Sequence, residues 1–129
     1  MVLRNKVVNV MVQLFESSKP QHLIDLLGCV KALKDEVTLR FTDYGIEVLE
    51  MDDSHISMID FKLPMDFFDQ YAEDYRGAIA LNLEETLKVL GKLGKNDELT
   101  VSRDEATAKL YIKLRGHKSL TRYKSIPTL

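Results

Sequence analysis

Hydrophobic and polar residues alternate from Val8 to Phe15, with Val8, Val10, Val12 and Leu14 on one side and Asn9, Met11 and Gln13 on the other. A period of two over that length predicts a half-buried strand. The period then changes. Leu23, Leu26, Leu27, Val30 and Leu33 recur at the three- and four-residue spacing of one helical face. Ser18 is placed to cap this helix, Pro20 suits its first turn and Gln21 closes a capping box. Val37, Leu39 and Phe41 then alternate with Thr38, Arg40 and Thr42 in a second strand. Asp43-Tyr44-Gly45 is a turn in which Gly45 can take a positive φ. Ile46 to Met51 and Ile56 to Leu63 read as two more strands, so the first half is β-α-β-β-β.

After Pro64, the aromatic stretch Phe67-Phe68-Asp69-Gln70-Tyr71 forms a link with room for one helical turn, and the pattern returns. Ala78 to Leu81 is a short strand, and Asn82 with Glu85 makes a second capping box. Leu83, Thr86, Leu87, Leu90 and Leu93 form another apolar stripe that ends near Gly94. Leu99 to Arg103, Ala108 to Arg115 and Leu120 to Ile126 are three further strands, joined by polar loops at Asp104-Glu105 and Gly116-His117. The chain therefore reads as one α+β domain over residues 1–129, built from two β-α-β-β-β repeats at about residues 8–63 and 78–126. The expected architecture is an antiparallel sheet with two helices on one face and an internal pseudo-two-fold.

The chain is long enough to bury one core without disulfides or a metal, and 45% of it is hydrophobic. No apolar run approaches the roughly 20 residues of a membrane-spanning helix. The alternating start, with Asn9 and Gln13, is too polar for a signal-peptide core, and the lone Cys29 suits a reducing compartment. These features predict an intracellular protein. A formal net charge of −2 argues against generalised nucleic-acid binding, so any DNA-facing charge must be concentrated on one face. On the second helix Lys88, Lys92 and Lys95 fall within about 60° of one another, opposite Leu83, Leu87 and Leu90. On the first, Lys31 flanks Gly28 and Ala32, and Asp25 and Asp35 dilute it. A few lysines without stacking aromatics or base-reading side chains suit weak, salt-sensitive, sequence-independent contact with phosphates. The same pattern also describes an ordinary solvated helix face.

The segment Met51-Asp52-Asp53-Ser54-His55-Ile56-Ser57-Met58, with Asp43-Tyr44-Gly45-Ile46 before it, resembles the M-D-x-S-H-V-x-L signature of proliferating cell nuclear antigen (PCNA), the sliding clamp of archaea and eukaryotes. The likeness continues through Phe61-Lys62-Leu63-Pro64, Phe68-Asp69-Gln70-Tyr71, Asn82-Leu83, Leu87-Lys88-Val89-Leu90 and Asn96-Asp97-Glu98-Leu99 to Tyr123 and Ile126-Pro127. It implies the DNA clamp fold and a processivity factor, with helices lining a DNA-filled hole and edge strands joining six such domains into a ring. By position, Lys31 and Lys88 match hole-lining lysines; the next such lysine falls at Gly91, with Lys92 beside it, and an often-basic position is Asp25. Met51, His55, Ile56 and Met58 match the pocket that receives short peptides of polymerases, nucleases and ligases. Tyr123 matches a ring-interface position, and Arg122 and Lys124, which flank it on an edge strand, are expected at the same subunit interface. The implied partners are double-stranded DNA, DNA polymerase and other peptide-bearing proteins, a clamp loader, and further copies of the chain.

Members of this family carry two such domains joined by a connector, whereas this sequence stops where the connector would begin. It reads either as an N-terminal-domain fragment or as a half-length clamp that self-associates, with six copies restoring the ring. A different class of protein, an interaction module that uses the Met51–Met58 surface without forming a ring, fits the same residues. A metal hydrolase fits poorly. Asp52, Asp53, His55 and Asp60 are of the right type for a divalent cation, but neighbouring strand residues point to opposite faces. Cys29 has no evident His partner, and neither a Gly-rich phosphate loop nor a nucleophile elbow is present. The expectation is therefore no catalytic residue, no metal and no cofactor.

Overall fold

A computed structural model describes residues 11–94, 96–116 and 121–129. Expectations that rest on Val8, Val10, Lys95, His117 or Leu120 lie outside the described residues. The first unit contains β1 (Met11–Ser17), α1 (Gln21–Lys31), β2 (Glu36–Phe41), β3 (Gly45–Met51) and β4 (Met58–Pro64). A 3₁₀ turn (Met65–Phe67) and the two-residue β5 (Gln70–Tyr71) form the link. The second unit contains β6 (Gly77–Asn82), α2 (Leu83–Leu90), β7 (Glu98–Asp104), β8 (Lys109–Arg115) and β9 (Thr121–Pro127).

Every strand pairing is antiparallel, as the alternating pattern implies, but the strands divide between two sheets. One runs β5-β1-β7-β8-β9 and the other β4-β3-β2-β6. Each unit thus lends its first strand to the other: β1 joins β7–β9, and β6 joins β2–β4. Two sheets therefore stand where the sequence pattern predicts one. A period of two marks which side of a strand is buried, not which neighbour it pairs with. Each helix follows its lent strand as a crossover to the other sheet, and α1 and α2 pack against each other. Leu23, Leu27 and Val30 of α1 and Leu83, Thr86 and Leu90 of α2 are buried. They share one core with inward residues of both sheets, among them Leu14, Val37, Ile46, Leu81, Leu99 and Leu114. Each fully buried side chain of this kind stabilises the fold by about 1.5–3 kcal/mol.

Local sequence accounts for some element ends and misreads others. The Asn82 side chain accepts the Glu85 amide at 3.0 Å, the cap expected for α2. At α1 the cap position is Pro20, which makes no side-chain cap; the Ser18 hydroxyl instead reaches Asp69 at 3.3 Å. Alternation also breaks in β1, where a bulge between Gln13 and Phe15 buries Leu14 and Phe15 in succession. Phe15 thereby meets Phe68 at 4.8 Å between ring centroids. Phe68 stacks in turn on Tyr71, whose hydroxyl lies 2.9 and 2.8 Å from the Thr42 and Gly45 carbonyls and shares its single proton between them. Burial pushes the Tyr71 phenol above its ordinary pKa. The link is thus pinned to the β2–β3 turn. An interior void between helices and sheets is about 30 Å³ and lined almost wholly by apolar side chains, too small among the described residues to be a chamber for a ligand.

Candidate DNA-facing and partner-docking surfaces

Two surfaces carry the candidate residues, one on each side of the sheets. On the helix side, Lys88 is exposed, across the helix from buried Leu83, Thr86 and Leu90. The helix stops earlier than its apolar stripe suggests, with Leu90 as the last residue and Gly91 as the cap. Lys92 therefore sits in the following turn, its amide on the Val89 carbonyl at 3.3 Å. The tight bonding of this turn keeps Leu93 partly buried, which is why the stripe outlasts the helix. Glu84 and Glu85 occupy the first turn, where the helix dipole favours carboxylates, so the basic end of α2 is its C-terminus. On α1, Lys31 forms an ion pair with Asp35 at 3.2 Å, and exposed Asp25 accepts from Gln21 at 2.8 Å. Lys31 is consequently a weaker source of field than Lys88.

On the opposite side, the β3–β4 hairpin presents apolar residues to solvent. The register pairs Met51 with Met58 and Leu49 with Asp60. Leu49, Met51 and Met58 are 58%, 41% and 56% exposed, and Ile56 at the loop is 85% exposed. Their strand neighbours Ile46 and Val48 point into the core, so this face lies away from the helices. Leu49 extends the surface beyond the residues singled out in the sequence. Its signal was an outward position in β3 where the alternation calls for a polar side chain.

The loop between Met51 and Met58 is organised by Asp52. One carboxylate oxygen accepts the Ile56 and Ser57 amides at 2.9 and 3.2 Å, and the other accepts the Ser54 hydroxyl at 2.8 Å. The Ser54 hydroxyl and then the Ser57 amide hold the Asp52 carboxyl below its usual pKa. His55 takes the left-handed conformation, φ 59°, with its amide on the Asp52 carbonyl and its Nδ1 3.3 Å from the Met51 sulfur. Asp52 is thus committed to the loop. Among the described residues, no three His, Cys, Asp or Glu side chains are grouped to hold a metal. Because the Asp52 pKa is depressed on folding, its support of the loop is present above the ordinary carboxylate pKa and disappears as pH falls through the lowered value. Acidification should therefore release the Ile56 and Ser57 amides, read as a coupled chemical-shift titration. Asp52→Asn should move that transition, and amide shifts that stay flat through acid would remove Asp52 from this role.

A second carboxylate escaped the sequence reading. Glu50 is 8% exposed and points inward where β2 and β3 diverge beyond the Arg40–Glu47 pair. Its carboxylate accepts the Thr38 amide at 2.8 Å and meets the Lys34 ammonium at 3.5 Å. A side chain thus takes the place of a missing ladder bond. The edge strand β9 divides its residues by face. Tyr123, 67% exposed, pairs with Lys113 on the outer face, while Arg122 and Lys124 pair with the buried Leu114 and Ile112 on the helix side.

Comparison with known proteins identifies this arrangement. The family described as proliferating cell nuclear antigen, N-terminal domain, matches residues 12–125. The chain belongs to the PCNA family. Its relatives include DNA polymerase sliding clamp 2 of Sulfurisphaera tokodaii, 30% identical over 105 residues that cover 81% of this chain and 42% of that one. The DNA polymerase sliding clamp of Pyrococcus abyssi is 33% identical over 107 residues, covering 83% and 42%. The PCNA chain spans less than half the length of these relatives. A solved PCNA2–PCNA3 complex from Sulfolobus tokodaii shares the fold at a TM-score of 0.79 and 22% identity, covering 93% of this chain and 46% of that one.

Proposed function

We propose that this PCNA-family domain is one segment of a ring-shaped DNA sliding clamp, a processivity platform that encircles duplex DNA, docks replication and repair proteins, and performs no chemistry itself. The observation that carries this reading is the separation of surfaces. Two adjacent helices put Lys88 and the basic end of α2 on one side of the sheets, and the apolar Leu49–Met51–Ile56–Met58 surface lies on the other. Contact with DNA would run through phosphates and ignore sequence, as a sliding ring requires. Relatives named as DNA polymerase sliding clamps support the reading.

Ring assembly would use the two seven-residue edges, β4 in one sheet and β9 in the other. Among the described residues both have an unpaired side, and half-buried Ile59 and Phe61 on β4 leave apolar surface for a neighbour to cover. The edge of β6 is in contrast partly occupied, because the Leu129 amide donates to the Ala80 carbonyl at 2.9 Å. Six such domains, carried one or two to a chain, would complete a ring, which a clamp loader would open. Sedimentation velocity on the chain should show a concentration-dependent oligomer. A strict monomer at high concentration favours the interaction-module reading.

The apolar surface would receive a short peptide with large hydrophobic side chains from a polymerase, nuclease or ligase. Replacing Met51 and Ile56 with aspartate should weaken such a peptide about tenfold or more, because each change puts an unpaired charge at the centre of the contact. Isothermal titration calorimetry checks this, and unchanged affinity would move the docking site elsewhere.

A further inference from the structure

We propose that Arg122 and Lys124 of β9 are DNA-phosphate contacts, extending the basic surface of α2 across the adjoining sheet edge. The inference rests on the DNA-encircling reading and adds a second element to it. Directly paired residues in an antiparallel ladder project to the same face. Arg122 pairs with Leu114, Lys124 with Ile112 and Ile126 with Leu110, and all three of those partners are buried on the core side. Ile126 is buried with them, whereas Arg122 and Lys124 are exposed. Along β9, therefore, the helix-side face carries two successive cations where it emerges from beneath α2, against which the strand packs.

A hydrogen bond fixes the position of one of them. The Arg122 Nη2 donates to the Lys92 carbonyl at 3.1 Å, which places the guanidinium beside the turn that ends α2. That bond uses one of five N–H donors and leaves four in the planar fork that matches a phosphate. Neither Arg122 nor Lys124 belongs to an ion pair among the described residues. The acidic residues of α2, Glu84 and Glu85, lie at its other end. The Asp97 carboxylate, in the loop that follows α2, accepts the Gly94 amide at 2.6 Å. Lys88, Lys92, Arg122 and Lys124 thus form a group drawn from a helix, its terminal turn and an edge strand. Tyr123, between the two cations in sequence, faces the other way and remains available for contact between subunits.

The test is equilibrium binding of the full chain to a fluorescein-labelled 30-base-pair duplex across a salt series. The proteins compared are wild type, R122Q/K124Q, the charge-retaining R122K/K124R, and K88Q/K92Q, with sedimentation velocity on each. The proposal expects R122Q/K124Q to lower the slope of log K against log salt by about 1–2, R122K/K124R to keep it, and assembly to stay unchanged. A reduced slope in K88Q/K92Q with none in R122Q/K124Q overturns the proposal and leaves the DNA reading standing. No change in either overturns both. Weakened binding that follows a loss of oligomer mass, and is equally severe in R122K/K124R, assigns the pair to subunit contact and overturns the proposal.

Discussion

Replacing Lys88, Lys92 and Lys95 together with glutamine should flatten the salt dependence of duplex binding. Each phosphate neutralised by a lysine releases about 0.9 of a counterion, so losing three such contacts lowers the slope of log K against log salt by about 2–3. Between 50 and 200 mM salt, the affinity ratio should shrink by roughly 40-fold, the fourfold salt change raised to that power. Lys95 lies outside the described residues and enters on its sequence position alone. Lys88 is exposed at the basic end of α2, and Lys92 follows one turn later on a tightly bonded segment. Lys31→Gln should have a smaller effect, because Asp35 sits 3.2 Å from its ammonium group. Fluorescence anisotropy across a salt series measures all of this. A slope unchanged in the triple variant would make the lysines an ordinary solvated face.

Gly45→Ala should be the most destabilising single methyl addition at the β2–β3 turn, costing about 3 kcal/mol or more and lowering the melting temperature by on the order of 10 °C. Gly45 has φ 151°, and a Cβ built there lies 2.0 Å from the Leu63 carbonyl oxygen and 2.8 Å from the Pro64 Cα. Both obstacles are backbone, so no side chain can swing aside. Gly45 pairs with Pro64 at one end of the β3–β4 hairpin, and its carbonyl accepts both the Thr42 amide and the Tyr71 hydroxyl. Displacing it would strain the hairpin and the aromatic link together. The peptide surface at the other end, Met51 and Met58, should lose affinity through the shift in register. Urea unfolding with an unchanged m-value checks the stability claim. A loss below about 1 kcal/mol would show that the turn relaxes at little cost.

The order of elements was legible in the sequence because periodicity is a local property. Val37, Leu39 and Phe41 alternate, and Leu83, Thr86 and Leu90 recur at helical spacing, whatever lies across from them. Gly45 and Asn82 were readable for the same reason, since a turn glycine and a helix cap act within a few residues. Ser18 does not cap α1 because Asp69, 51 positions away, offers its hydroxyl a partner that no local pattern contains. The α2 helix ends before its apolar stripe does because Leu93 keeps its burial in a turn after the helix has closed. The Met51–Met58 segment stood out through its likeness to PCNA, and Leu49 did not, because its place on that surface follows from the β3–β4 register.

By itself the sequence determined the two repeats, the antiparallel α+β class, the inward and outward sides of most strands, and the family. Only the tertiary structure decided that the repeats exchange their first strands, that Glu50 fills a gap between diverging strands, and that Arg122 and Lys124 share the helix side with Lys88. Periodicity reports one buried face per element at a range of a few residues. Strand partners, cross-sheet carboxylates and shared surfaces depend on contacts between residues tens of positions apart, and those exist only once the chain has closed on its core.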